Sequence, residues 1–137
     1  MKKRGFGTGL WNGTGGKVEP GETVLEAATR ECIEEIGVRP LHLMSVGRLA
    51  FYIEDKPEFA HDITIFTAEK WEGEPHETDE MRPQWFSTLK IPYDTMWADD
   101  KLWLPLVLNG HSVSGEVTMN TSGTIINAKI TPGIVQL

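Results

Sequence analysis

Gly16-Lys17-Val18-Glu19-Pro20-Gly21-Glu22-Thr23-Val24-Leu25-Glu26-Ala27-Ala28-Thr29-Arg30-Glu31-Cys32-Ile33-Glu34-Glu35-Ile36-Gly37-Val38 reads as a loop that runs into a helix. Thr23 with Glu26 three positions on is a capping box, which satisfies backbone N–H groups at a helix start, and Gly37 supplies the residue type that closes one. Leu25, Ala28, Cys32 and Ile36 share a helical stripe, the side expected to face the core. Glu31, Glu34 and Glu35 stand at i, i+3 and i+4, so their carboxylates gather on a neighbouring face. Such a face is either a solvated surface or a set of hard oxygen ligands. The second alternative suits Mg²⁺, which takes few carboxylates and shares itself with phosphates. The carbonyl of Gly16 can add an uncharged ligand. Glu22 and Arg30 are placed to brace the loop against the helix as an ion pair.

Upstream, residues 5–21 are rich in glycine around Trp11, Asn12 and Lys17, a loop built for close backbone approach. Downstream the period changes to two. Residues 46–54 and 62–70 are expected as strands joined across Asp55-Lys56-Pro57-Glu58. Gln84-Trp85-Phe86 is a shorter strand candidate. Asp99-Asp100 is expected to open a second apolar helix reaching about Asn109, with a kink at Pro105. Residues 113–119 and 124–130 form a hairpin around Asn120-Thr121-Ser122-Gly123. Strands with two helices on a mixed sheet make an α+β layered fold, expected as one domain over residues 1–137.

The 137 residues carry 13 Lys and Arg against 20 Asp and Glu, a net charge of −7. That balance argues against coating a polymeric nucleic acid, while a single phosphorylated small molecule stays compatible if a metal ion or local cations offset the repulsion. No apolar run is long enough for a membrane span. One cysteine, Cys32, and four scattered histidines give no Cys/His metal cluster. An intracellular, cytoplasmic setting is the expectation.

Residues 16–38 resemble the Nudix box, G-x5-E-x7-R-E-U-x-E-E-x-G-U. All seven fixed letters are met, by chance on the order of once in 10⁸ windows, and Cys32 stands at the first bulky-aliphatic position. The resemblance extends outside the box. Met1-Lys2-Lys3-Arg4-Gly5-Phe6-Gly7, Trp11-Asn12-Gly13, Asp79-Glu80-Met81-Arg82-Pro83 and Met96-Trp97-Ala98-Asp99-Asp100 are similar to the MutT-type family of oxidised purine nucleoside triphosphatases, in its eukaryotic form.

That resemblance implies a Nudix α/β/α sandwich and Mg²⁺-dependent (or Mn²⁺-dependent) hydrolysis of 8-oxo-dGTP or 2-hydroxy-dATP to a monophosphate and pyrophosphate. It implies that Glu35 carries much of the catalysis with Glu31 and Glu34, and that Gly16, Glu31, Glu34, Glu35 and Glu80 hold metal. Thr14, Gly15, Gly16 and Lys17, with Lys2, are the residues expected near the phosphates. Read as chemistry, Trp97 can stack on a base, and Phe6, Phe51, Met81 and Trp103 can wall it. Asn12 offers a donor and an acceptor to a base edge. For Trp97 and Trp103 plain core packing is the alternative. Adjacent Asp99 and Asp100 disfavour double ionisation, so one is expected to hold a proton and the pair to offer both donor and acceptor; helix capping is the alternative.

Relatives carry a strand before the position of Met1, so an N-terminal strand is expected to be missing here. A monomer is implied by the family, with a strand-completing dimer as the alternative. Ala98 replaces a frequent proline. Hydrolysis of another nucleoside diphosphate derivative, or nucleotide binding without turnover, are the competing functions.

Overall fold

The computed structural model describes residues 1–134. In chain order the elements are α1 (Val24–Ile36), β1 (Arg39–Leu41), β2 (Met44–Ile53), β3 (His61–Thr67), β4 (Lys70–Glu72), α2 (Asp100–Leu108), β5 (His111–Met119) and β6 (Ile125–Ile134), with 3-10 turns at Pro57–Phe59 and Tyr93–Thr95. The chain divides into two compact units, residues 1–44 with 67–96, and residues 45–66 with those from 97 onward.

The first unit holds α1 and a two-stranded antiparallel sheet of β1 and β4, with Pro40 opposite Trp71. Its helix starts and stops as its caps dictate. Thr23 and Glu26 make the reciprocal capping box, and Gly37 sits in the left-handed region at φ 75° with its N–H on the Ile33 carbonyl. The N-terminal loop is tied down by backbone pairing, Lys2 bridging Met81 and Trp11 bridging Met96.

The second unit is a four-stranded mixed sheet in the order β3-β2-β5-β6. β2 and β5 run parallel, from Gly47 opposite Val113 to Ile53 opposite Met119. β5 and β6 are antiparallel, with a register shift between Thr118 and Met119. The Asn120 side chain closes their turn by accepting from the backbone N–H of Ser122 and of Thr124, at 3.0 and 2.9 Å. Leu49, Phe51 and Val117 form the buried cluster, and Trp103 of α2 and Ile130 of β6 pack on it. Leu49 and Val117 are fully buried, each contributing about 1.5–3 kcal/mol.

Three expectations need correction. Gln84-Trp85-Phe86 is not a strand. Pro83 lacks an N–H for a ladder, and the segment is held by its rings, Trp85 against Trp71 at 5.4 Å and Phe86 edge-on to Trp11 at 4.9 Å. The expected strand 62–70 ends at Thr67, and Lys70–Glu72 pairs separately with β1. The core stripe of α1 is also rotated: Leu25 is exposed, and the residues α1 buries are Ala27 and Glu35. Alanine permits close packing, and the carboxylate tolerates burial because a backbone donor meets it.

Candidate active site

Arg30 organises the glutamate helix. Its Nε donates to Glu22 Oε2 at 2.7 Å and its Nη2 to Glu22 Oε1 at 2.9 Å, a two-pronged pair. Nη2 also donates to the Lys17 carbonyl at 3.1 Å. The loop is thereby pinned to the helix, as the sequence expects of Glu22 and Arg30. The guanidinium holds the Glu22 carboxyl down at about 2. Arg30 Nη1 reaches Glu31 at 2.8 Å and Glu34 at 3.2 Å. Two of the three clustered glutamates therefore face this cation.

The third is different. Glu35 is 5% exposed, and its Oε1 accepts from the Gly15 N–H at 2.7 Å. Burial pushes its carboxyl up to about 7; the Gly15 N–H opposes that, Glu31 and Glu80 add to it, and Lys2 opposes it. Gly16 lies so close to Glu31 that a Cβ there would stand 2.5 Å from the Glu31 carboxyl. A side chain there would have to push the Glu31 carboxyl aside. Glu80 lies 3.4 Å from Arg4 Nη2. Thr14 hydrogen-bonds the Cys32 thiol, whose pKa burial raises. Met81 is buried, while Phe6, Asn12 and Lys17 are exposed.

Among the described residues no three His, Cys, Asp or Glu side chains converge as a ready metal-binding group. Glu31 and Glu34 are instead paired with Arg30. The donor set still fits a hard divalent cation: carboxylates on adjacent helical turns, one of them buried, with the Gly16 backbone close against the Glu31 carboxyl.

In the second unit Asp99 and Asp100 are 3% and 7% exposed. Trp103 Nε1 donates to Asp99 Oδ2 at 2.9 Å. Burial raises both carboxyls. Asp100 is pushed up to about 7, with the charge of Asp99 adding to the effect, whereas the Trp103 N–H works against the rise at Asp99. The capping alternative fails for Asp99, which has helical backbone angles and no side-chain capping bond. Trp97 is half-buried. Phe51 belongs to the buried cluster and stacks on His61 at 5.7 Å.

Sequence reasoning missed Thr78. Its hydroxyl donates to the Glu35 backbone carbonyl at 2.7 Å and accepts from the Glu80 and Met81 N–H groups at 3.2 and 3.3 Å. The signal was local: a threonine ahead of Asp79-Glu80 can take the following backbone N–H groups into a turn.

Comparison with known proteins follows the same lines. The NUDIX domain family matches residues 1–107. The oxidized purine nucleoside triphosphate hydrolase of Danio rerio is 48% identical over 130 residues, 95% of this chain and 83% of that protein. The protein of the same name from Mus musculus is 44% identical over 127 residues, 93% of this chain and 81% of its own length. The crystal structure of the MutT protein from Bacillus halodurans superposes with a TM-score of 0.82 at 26% identity, over 89% of this chain and 82% of that one. The likeness bears out the α+β Nudix fold. A loop pinned to a capped glutamate helix, its buried Glu35 and these relatives lead to one conclusion: the chain belongs to the NUDIX domain family and is a Nudix hydrolase.

Proposed function

We propose that this hydrolase converts oxidised purine nucleoside triphosphates to monophosphates and pyrophosphate, with Mg²⁺ as its divalent ion and Mn²⁺ as a substitute, acting as a cytoplasmic monomer on the nucleotide pool. The relatives' names support the substrate class. The observation that carries the reading is the buried Asp99–Asp100 pair. With one proton between them, the two carboxyls offer a donor and an acceptor to a purine edge. Moving that proton lets the pair accept both 8-oxo-guanine and 2-hydroxy-adenine.

Glu31, Glu34, Glu35 and Glu80, with the Gly16 carbonyl, would hold the metal. When bound, a divalent ion neutralises charge on the phosphates and acidifies water. Glu35, whose Oε1 accepts from the Gly15 N–H, takes the proton of the attacking water on Oε2. Arg30 and Glu22 keep the loop backbone in place. In the first unit Asn12, Phe6 and Met81 are the residues for the base and Lys2, Lys17, Thr14 and Gly15 those for the phosphates; in the second, Trp97, Phe51 and Trp103 are those for the base.

Pyrophosphate release from 8-oxo-dGTP and from dGTP, with and without Mg²⁺, tests the proposal when run beside Glu35→Gln. Metal-dependent turnover that favours the oxidised base and collapses in the variant supports it. Nucleotide binding without turnover, or equal rates on both bases, refutes it.

A further inference from the structure

The segment after β4 straps the C-terminal end of α1. The His76 N–H donates to the Ile36 carbonyl at 3.1 Å and the Thr78 hydroxyl donates to the Glu35 carbonyl at 2.7 Å. These groups satisfy two carbonyls that a helix end leaves without an intrahelical partner. Thr78 does more than close the helix. The same oxygen accepts from the N–H of Glu80 and of Met81, and the Thr78 N–H donates to the Met81 carbonyl at 2.9 Å. One half-buried hydroxyl thus joins the backbone that carries Glu35 to the turn that carries Glu80.

We infer that Thr78 is a positioning residue that holds Glu80 in register with Glu35, so that the two carboxylates act on one divalent cation. This rests on the proposed metal role of those glutamates. The charge of Glu80 is felt at Glu35, which places the two carboxylates within electrostatic reach. Thr78 itself contributes no ligand. Its effect passes through Glu80, and that distinguishes it from a residue whose loss loosens the whole unit. Serine keeps the hydroxyl, whereas valine keeps the shape and removes it.

The test is Mn²⁺ binding to the otherwise metal-free full chain, followed by electron paramagnetic resonance of the free ion, with no nucleotide present. Thr78→Val should weaken binding about tenfold, Thr78→Ser should stay within about twofold of the parent, and Glu80→Gln should weaken it as much as the valine change. In the Glu80→Gln background, Thr78→Val should add less than about twofold, since the two changes remove one interaction. Full additivity, or a serine variant as weak as the valine one, overturns the inference. A parent that binds and loses affinity with Glu80→Gln but not with Thr78→Val also overturns the coupling and leaves the metal reading standing. A parent that binds no Mn²⁺ removes both. Thr78→Ala gives the same comparison if the valine variant does not fold.

Discussion

Replacing Glu35 with Gln should stabilise the metal-free protein above neutral pH while it abolishes turnover. The folded state holds the Glu35 carboxyl up near 7, against an ordinary value of 4.5, chiefly through burial. The charged form is therefore disfavoured by folding. Its penalty is absent below pH 4.5, grows as pH rises through the interval, and is complete above about 7. At about 1.4 kcal/mol per pH unit, the difference is about 3 kcal/mol. Glutamine is neutral throughout and its amide oxygen can still accept the Gly15 N–H. The stability difference between variant and parent should thus be near zero at pH 4.5 and reach about 3 kcal/mol at pH 8. Asp99 and Asp100, also raised, are present in both proteins and cancel in the difference. Urea unfolding in a chelating buffer at a series of pH values measures it, and a slope of about 2 kcal/mol/M translates the effect into a midpoint shift of 1–2 M. Equal stability at pH 8 would place the carboxylate in solvent, and a variant advantage that shrinks as pH rises would mean that folding lowers the carboxyl; either refutes the reasoning.

Binding of the oxidised base should weaken as pH rises through about 7, where Asp100 loses its proton; KM for 8-oxo-dGTP from pH 6 to 9 measures it. Asp99→Asn fixes one member of the pair as neutral and should change the ratio of activity on 8-oxo-dGTP and 2-hydroxy-dATP, so full activity on both would count against the shared proton. Arg30→Lys removes the two-pronged pair to Glu22 and the bond to Lys17. Faster amide exchange across residues 15–22 is the expected result, with lower activity. Gly115→Ala should unfold the second unit, since Gly115 has φ 151° and an added Cβ would run into the Lys129 carbonyl of the paired strand. A cooperative melt at the parent's temperature would show that the β5–β6 pairing tolerates it.

The local signals were legible because they are local. Thr23, Glu26 and Gly37 bound the helix through contacts within a few residues, and Asn120 closes its own turn. Spacing alone put Glu31, Glu34 and Glu35 on adjacent turns, and complementary charge predicted the Glu22–Arg30 pair. Periodicity failed where distant groups compete. Leu25 is exposed and Glu35 buried because a backbone N–H twenty residues away in the chain supplies a partner that no helical wheel contains. Gln84-Trp85-Phe86 has the composition of a strand, yet the rings of Trp71 and Trp11 hold it instead of a ladder. Arg30 pairs locally as well, with Glu31 and Glu34 one and four residues along the same helix. Residue identity thus established the helix, its carboxylates and the family motif. The burial that raises the Glu35 carboxyl and the tie made by Thr78 came only from the folded chain, because burial and long-range hydrogen bonds depend on which groups tertiary packing brings together.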